Sequence, residues 1–158
     1  MGNIFSGSEI VEIGIQIEKN GRDFYSALAG QSKDLKAKDV FKFLAGEEEK
    51  HIKAFQGILE KTVKYEPQGM GADDYYAYMS ALAGEHVFTK ENKGLELARQ
   101  IKGDREAVEK GIRLEEDSIV FYEGMKKVVP EYDRKVIDSL ISQEEGHLRQ
   151  LMGMKGLI

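Results

Sequence analysis

The sequence predicts an all-α protein: an antiparallel four-helix bundle of two helical hairpins, joined by a long crossover that contains short helices. Three observations carry this. Apolar residues recur at helical spacing, and the period-two alternation of strands is absent. Only two prolines occur, Pro67 and Pro130, and both fall between long periodic stretches, where proline breaks no helix. The chain also repeats itself once, with the two copies separated by about forty residues, a length at which a crossover carries structure of its own.

SGSE at 6–9 has the Ser-x-x-Glu form of a capping box and opens a first helix running to about Leu28. AGQSKDLKAKD reads as a polar break, and a second helix follows from about Asp39 to Lys61. Gly103 and Asp104 offer a helix stop and then an Asp N-cap, opening a third helix to about Val129. Pro130 marks the next turn, and a fourth helix spans about Tyr132 to Met152. The chain thus reads as one domain over 1–158, with hairpins at about 8–61 and 104–152 and a crossover at about 62–103. Within the crossover, GLELARQIK is a short amphipathic helix, and the aromatic stretch with Tyr75, Tyr76, Tyr78 and Met79 reads as packing onto the bundle or as a subunit interface.

The repeat is specific. SEIVEIGIQIEKNGRDFY from Ser8 aligns with REAVEKGIRLEEDSIVFY from Arg105, and FKFLAGEEEKHIKAF falls on IDSLISQEEGHLRQL. Glu18, Tyr25, Glu48 and His51 reappear as Glu115, Tyr122, Glu144 and His147. Resemblance between any two amphipathic helices accounts for the apolar matches but not for these polar ones.

Composition narrows the chemistry. A net charge of −5 lacks the basic footprint of a nucleic-acid binder. No apolar run approaches the ~20 residues of a membrane span, and the N-terminus lacks the pattern of a signal peptide, so a cytoplasmic location is expected. MGNIFS formally fits a myristoylation pattern, a short motif that matters only in a eukaryote. Without any cysteine, disulfides, thiol catalysis and cysteine-bound metals are excluded.

Four heptad stripes face the bundle axis. The second helix gives Phe41, Leu44, Glu48, His51, Phe55 and Ile58; the fourth gives Ile137, Leu140, Glu144, His147 and Leu151. The first gives Val11, Gly14, Glu18, Gly21, Tyr25 and Leu28; the third gives Val108, Gly111, Glu115, Ser118, Tyr122 and Met125. An acidic residue interrupts each stripe near its middle. Glu47, Glu49 and Lys50 lie off the stripe and are expected in solvent. Four buried carboxylates must protonate, pair with bases or bind cations. No lysine lies on the stripes, and Arg22 is at best beside one. Two divalent ions balance four carboxylates, and two neutral imidazoles complete the shell. Glu-x-x-His places both side chains on one face; one such pair per hairpin plus one Glu from each remaining helix is the arrangement of di-iron and di-manganese bundles. Oxygen-rich ligation suits two iron ions, with manganese as the other option and zinc able to substitute. The competing reading is a salt-bridged structural cluster.

IEKNGRDFY, AGEEEKHIKAF, LEEDSIVFY and SQEEGHLRQL resemble the ferritin-like di-iron superfamily and, within it, rubrerythrin-like proteins. By that resemblance the metal ligands are Glu18, Glu48, His51, Glu115, Glu144 and His147. Tyr25 and Tyr122, two turns after the single glutamates, would hydrogen-bond ligand carboxylates and orient them; otherwise they are core aromatics whose hydroxyls are satisfied elsewhere. The resemblance implies reduction of hydrogen peroxide or dioxygen. With no cysteine-ligated rubredoxin domain in the chain, it implies an external electron donor such as a rubredoxin. Rubrerythrins also carry an extra carboxylate on the third helix; Ser118 stands there, with Glu116 and Asp117 beside it. Ferroxidase chemistry with iron storage is the alternative, and a metal-free helical interaction module the second. A homodimer or larger homo-oligomer is expected. His86, beside Glu85, reads as a surface or packing residue.

Overall fold

The structure is a computed structural model and describes residues 7–62, 81, 87–127, 129 and 131–158. Five α-helices and a short 3-10 turn make up these residues: α1 Gly7–Gln31, α2 Leu35–Thr62, the turn Val87–Thr89, α3 Lys93–Gln100, α4 Asp104–Met125 and α5 Glu131–Lys155. No strand occurs among them. The first hairpin is α1 packed along α2, the second is α4 packed along α5, and α3 and the turn lie against α1. Ser6 of the expected capping box, the MGNIFS motif, the Tyr75–Met79 cluster and His86 lie outside the described residues.

The four long helices start and stop within a few residues of expectation except at the α1–α2 junction. There the polar stretch is no loop of eleven residues; α2 begins at Leu35. Asp34 is the reason. Its Oδ1 accepts the backbone N–H groups of Lys36 and Ala37 at 2.9 and 3.0 Å, satisfying donors that a helix start leaves unpaired. Asp104 departs from expectation too, since it makes no N-cap: Gly103 holds that position at φ +86° without a side-chain cap, a backbone geometry that favours glycine. The Asp104 carboxylate instead accepts Ser32 Oγ at 2.8 Å and Asp34 N–H at 3.1 Å. The start of α4 is thereby tied to the hairpin loop of α1 and α2.

Every stripe residue predicted from the heptads is buried. Crossover and bundle are joined through Asn20, whose side chain is 1% exposed. Its Nδ2 donates to the carbonyls of Phe88 and Lys90 at 2.7 and 2.6 Å, and its Oδ1 accepts Gly94 N–H at 3.1 Å. Gly94 sits so close that a Cβ there would stand 2.0 Å from the Asn20 carbonyl oxygen. Only glycine permits this approach.

Candidate metal centre

Glu18 on α1, Glu48 and His51 on α2, Glu115 on α4, and Glu144 and His147 on α5 converge midway along the bundle, each no more than 5% exposed. Their donor atoms form two sets, each within a 4.8 Å span: Glu18, Glu48, His51 and Glu144 in one, and Glu48, Glu115, Glu144 and His147 in the other. Glu48 and Glu144 belong to both. Two shared carboxylates flanked by one carboxylate and one imidazole on each side make a donor set suited to two adjacent cations.

The hydrogen-bonding state of these atoms tests the fit. Glu18 Oε2, Glu115 Oε2, both Glu144 oxygens, His51 Nδ1 and His147 Nδ1 are buried without an aligned hydrogen bond. His51 Nδ1 comes within 2.8 Å of Glu144 Oε1, but the pair is not directed as a hydrogen bond. Buried polar atoms are rarely left this way; here they aim at a common centre, as cation ligands do. Tautomer chemistry agrees. His51 Nε2 lies 2.9 Å from Gln143 Oε1, and an amide oxygen only accepts, so Nε2 carries a proton and neutral His51 turns an Nδ1 lone pair inward.

Protons stand in for cations in the metal-free centre. Burial, then the charge of Glu144, raises the Glu18 carboxyl to about 7 against the pull of His51 and Tyr122. Burial alone would depress His51, but its contacts with Glu144 and Glu18 override that and raise it to about 11. Burial likewise works against an ionised Glu144, and the two imidazoles outweigh it, holding this carboxyl down at about 2. Burial and the neighbouring carboxylates push both Tyr25 and Tyr122 well above the usual phenol range. Both hydroxyls therefore stay protonated and donate.

They donate across the bundle. Tyr25 on α1 donates to Glu115 Oε1 on α4 at 2.7 Å, and Tyr122 on α4 donates to Glu18 Oε1 on α1 at 2.6 Å. A glycine stands one turn before each glutamate, beside the crossing. A Cβ at Gly111 would meet the Tyr25 hydroxyl at 3.4 Å, and one at Gly14 would meet Met125 Cε at 2.7 Å and the Tyr122 ring at 3.7 Å.

A second exchange links α2 and α5. His51 meets Gln143 as described, while His147 Nε2 stands 3.9 Å from Glu47 Oε2. Glu47 and Gln143 are repeat-related, each four residues before the histidine of its own helix. The sequence reading places Glu47 in solvent and leaves Gln143 aside, although that shared spacing was the available signal. Glu47 also corrects an expectation: its side chain is 14% exposed rather than solvated, pairing with Lys50 at 3.1 Å while it faces His147. Glu49 is half-buried and paired with Arg22 at 2.8 Å. Glu116 and Asp117 are exposed, whereas Ser118 is buried, so neither neighbouring carboxylate takes the position that Ser118 occupies.

Four helices around such a carboxylate–histidine cluster make a bundle able to hold two adjacent metal ions. The chain belongs to the Rubrerythrin family, whose pattern it matches over residues 9–155. It has the ferritin-like fold: the structure is similar to that of a ferritin-like diiron-carboxylate protein from Thermotoga maritima, with a TM-score of 0.73 and 24% identity, over 98% of this chain and 97% of that one. No curated protein matches the chain. Among the described residues, no helix is long and apolar enough to cross a membrane.

Proposed function

We propose that this protein is a di-iron oxidoreductase that reduces hydrogen peroxide or dioxygen with electrons from a separate donor protein. The observation that carries the reading is the pair of overlapping donor sets sharing Glu48 and Glu144. In this reading Glu18 and His51 would hold one ion and Glu115 and His147 the other, with Glu48 and Glu144 within reach of both. When bound, two ferrous ions supply one electron each together with Lewis acidity toward an oxygen ligand. One hydrogen peroxide takes up two electrons and two protons to give two waters, and the donor protein then returns two electrons to the protein.

The chain's own residues hold the site through this change of charge. Tyr25 and Tyr122 each fix one oxygen of a terminal carboxylate and leave the other, Glu115 Oε2 or Glu18 Oε2, free to ligate. Gln143 meets the outer nitrogen of His51 at hydrogen-bond distance and holds that ring, and Glu47 faces the outer nitrogen of His147 at 3.9 Å. Burial excludes bulk water from the carboxylates, which strengthens every charge interaction within the site.

Anaerobic reconstitution with ferrous iron, followed by elemental analysis, should give two irons per chain. Stopped-flow mixing with peroxide and, separately, with oxygen should then show much faster oxidation by peroxide. Absence of bound iron or manganese would sink the reading in favour of a metal-free helical module. Oxidation chiefly by oxygen in a large shell that retains the iron would turn it into ferroxidase and storage.

A further inference from the structure

The internal repeat makes each histidine a control for the other. Their inward faces correspond. His51 Nδ1 lies 2.8 Å from Glu144 and 3.5 Å from Glu18, and His147 Nδ1 lies 3.7 Å from Glu144 and 4.0 Å from Glu115. Their outward surroundings differ. Against His147, α2 sets Phe43, edge-on at 6.2 Å, and Glu47, whose Oε2 is 3.9 Å from Nε2. Against His51, α5 sets Gln143, whose Oε1 is 2.9 Å from Nε2, and Ser139 stands where α2 has Phe43 and accepts Gln143 Nε2 at 3.3 Å. Lys50 pairs with Glu47 Oε1 at 3.1 Å, leaving Oε2 toward the ring, and the residue related to it on α5 is Gly146. One imidazole is therefore backed by a carboxylate and the other by a neutral amide.

The two outer contacts compete in strength. The amide is nearer and hydrogen-bonded, whereas Glu47 carries a full charge at a distance too long for a hydrogen bond. At the inward nitrogen the charge dominates, because its potential falls as the inverse of distance and that of an amide dipole falls faster. Glu47 is 14% exposed, so water screens it less than an ordinary surface carboxylate. Lys50 opposes it, but that side chain is 74% exposed and largely screened. A carboxylate behind a ligating imidazole favours the proton on the outer nitrogen and makes the inner one a stronger donor.

We infer that Glu47 makes the position of Glu115 and His147 the tighter of the two for a divalent cation, so that the centre fills from the His147 side. The inference rests on the metal reading proposed above. Glu47 is a positioning residue in it, acting through the ring of His147. A hydrogen-bonded outer partner changes metal affinity tenfold or more, and a contact without that bond should contribute about fivefold.

The test is titration of the full-length protein with cobalt(II), read from visible absorption and calorimetry, in variants that keep one position each. Glu18→Ala keeps Glu48, Glu115, Glu144 and His147, and Glu115→Ala keeps Glu18, Glu48, His51 and Glu144. Cobalt should bind the first about fivefold more tightly than the second. Glu47→Gln should remove that advantage when added to Glu18→Ala and should change nothing when added to Glu115→Ala. Gln143→Glu should tighten binding to the Glu115→Ala protein, a gain that a purely structural role for Glu47 would not produce. Equal affinities in the two single-position variants would overturn the inference and leave the metal reading standing. So would a Glu18→Ala affinity that Glu47→Gln does not move. If either single-position variant binds no cobalt, otherwise unaltered protein decides: Glu47→Gln should weaken the tighter of its two cobalt steps, and two unchanged steps would overturn the inference. Wild-type protein that takes up neither cobalt nor iron would overturn the metal reading and this inference together.

Discussion

Helices α1 and α4 are copies of one pattern on the inside and different helices on the outside. Their inner stripes match position for position: Gly14 and Gly111, Glu18 and Glu115, Tyr25 and Tyr122. Outside, α1 carries the buried Asn20 beneath Phe88 and α3, with Phe24 edge-on to Phe88 at 5.5 Å. Asn20 corresponds on α4 to the exposed Asp117, whereas Phe24 corresponds to Phe121, which is buried as well. The difference teaches that two constraints act on separate faces. The convergent carboxylates and imidazoles lie on the inner face, where the stripes match, while among the described residues the crossover elements α3 and the 3-10 turn pack against α1, whose outer face differs from that of α4 at Asn20 and Asp117.

The largest expected effect breaks the symmetry of the inner face. Glu144→Ala removes a carboxylate common to both donor sets and should abolish binding of both metals. Glu115→Ala leaves Glu18, Glu48, His51 and Glu144 intact and should retain one. Elemental analysis after anaerobic loading separates the two, and equal metal contents in these variants would refute the division into overlapping sets.

Next comes the outer face of α1. Gly94→Ala puts a Cβ into the Asn20 backbone, so α3 must lift and the Asn20 bonds must break. Overpacking against backbone together with unsatisfied buried amide groups should cost about 3 kcal/mol, lowering Tm by roughly 10 °C in thermal unfolding. A substitution at the exposed Glu116 on α4 should leave Tm within about 1 °C of wild type, because surface changes remote from such features are near neutral.

The crossed tyrosines offer a finer comparison. Tyr122→Phe should weaken the metal held with Glu18 and His51, and Tyr25→Phe the metal held with Glu115 and His147, each about tenfold. Stepwise metal titration should show a different step shifting in each variant; the same step shifting in both would contradict the cross-bundle pairing.

Protons provide a gentler probe. With folded values raised, Glu18 and His51 favour the protonated folded state. Glu18 lends metal-free protein most stability below the ordinary carboxylate value of 4.5, a contribution that fades as pH rises through about 7. The His51 contribution is complete below 6.5 and disappears only as pH passes about 11. Metal must displace these protons, so its affinity should increase with pH between 6 and 8, with proton release visible as calorimetric heats that vary with buffer. Affinity that ignores pH would count against Glu18 and His51 as ligands. The smallest effect belongs to Glu47→Gln, which makes the outer contacts of the two histidines alike. Stability should stay within about 0.5 kcal/mol, with the two metal-binding steps moving closer together.

The sequence by itself determined the four helices, the buried stripes and the six convergent donors. These follow from local geometry: a helix repeats every 3.6 residues, so spacing along the chain already says which side chains share a face. It also exposed the doubling, since the polar matches around Glu48–His51 and Glu144–His147 stand out in any alignment of the halves. The start of α2 at Leu35 escaped because Ser32, Asp34 and Asp39 all offer a capping side chain in the same polar stretch. Which tyrosine serves which glutamate and which outer residue meets which histidine were decided only by tertiary structure. Each depends on the neighbour and axial register of a helix, and those are set by packing among segments distant in the chain. Tyr25 could not be assigned to Glu115 until α4 lay beside α1.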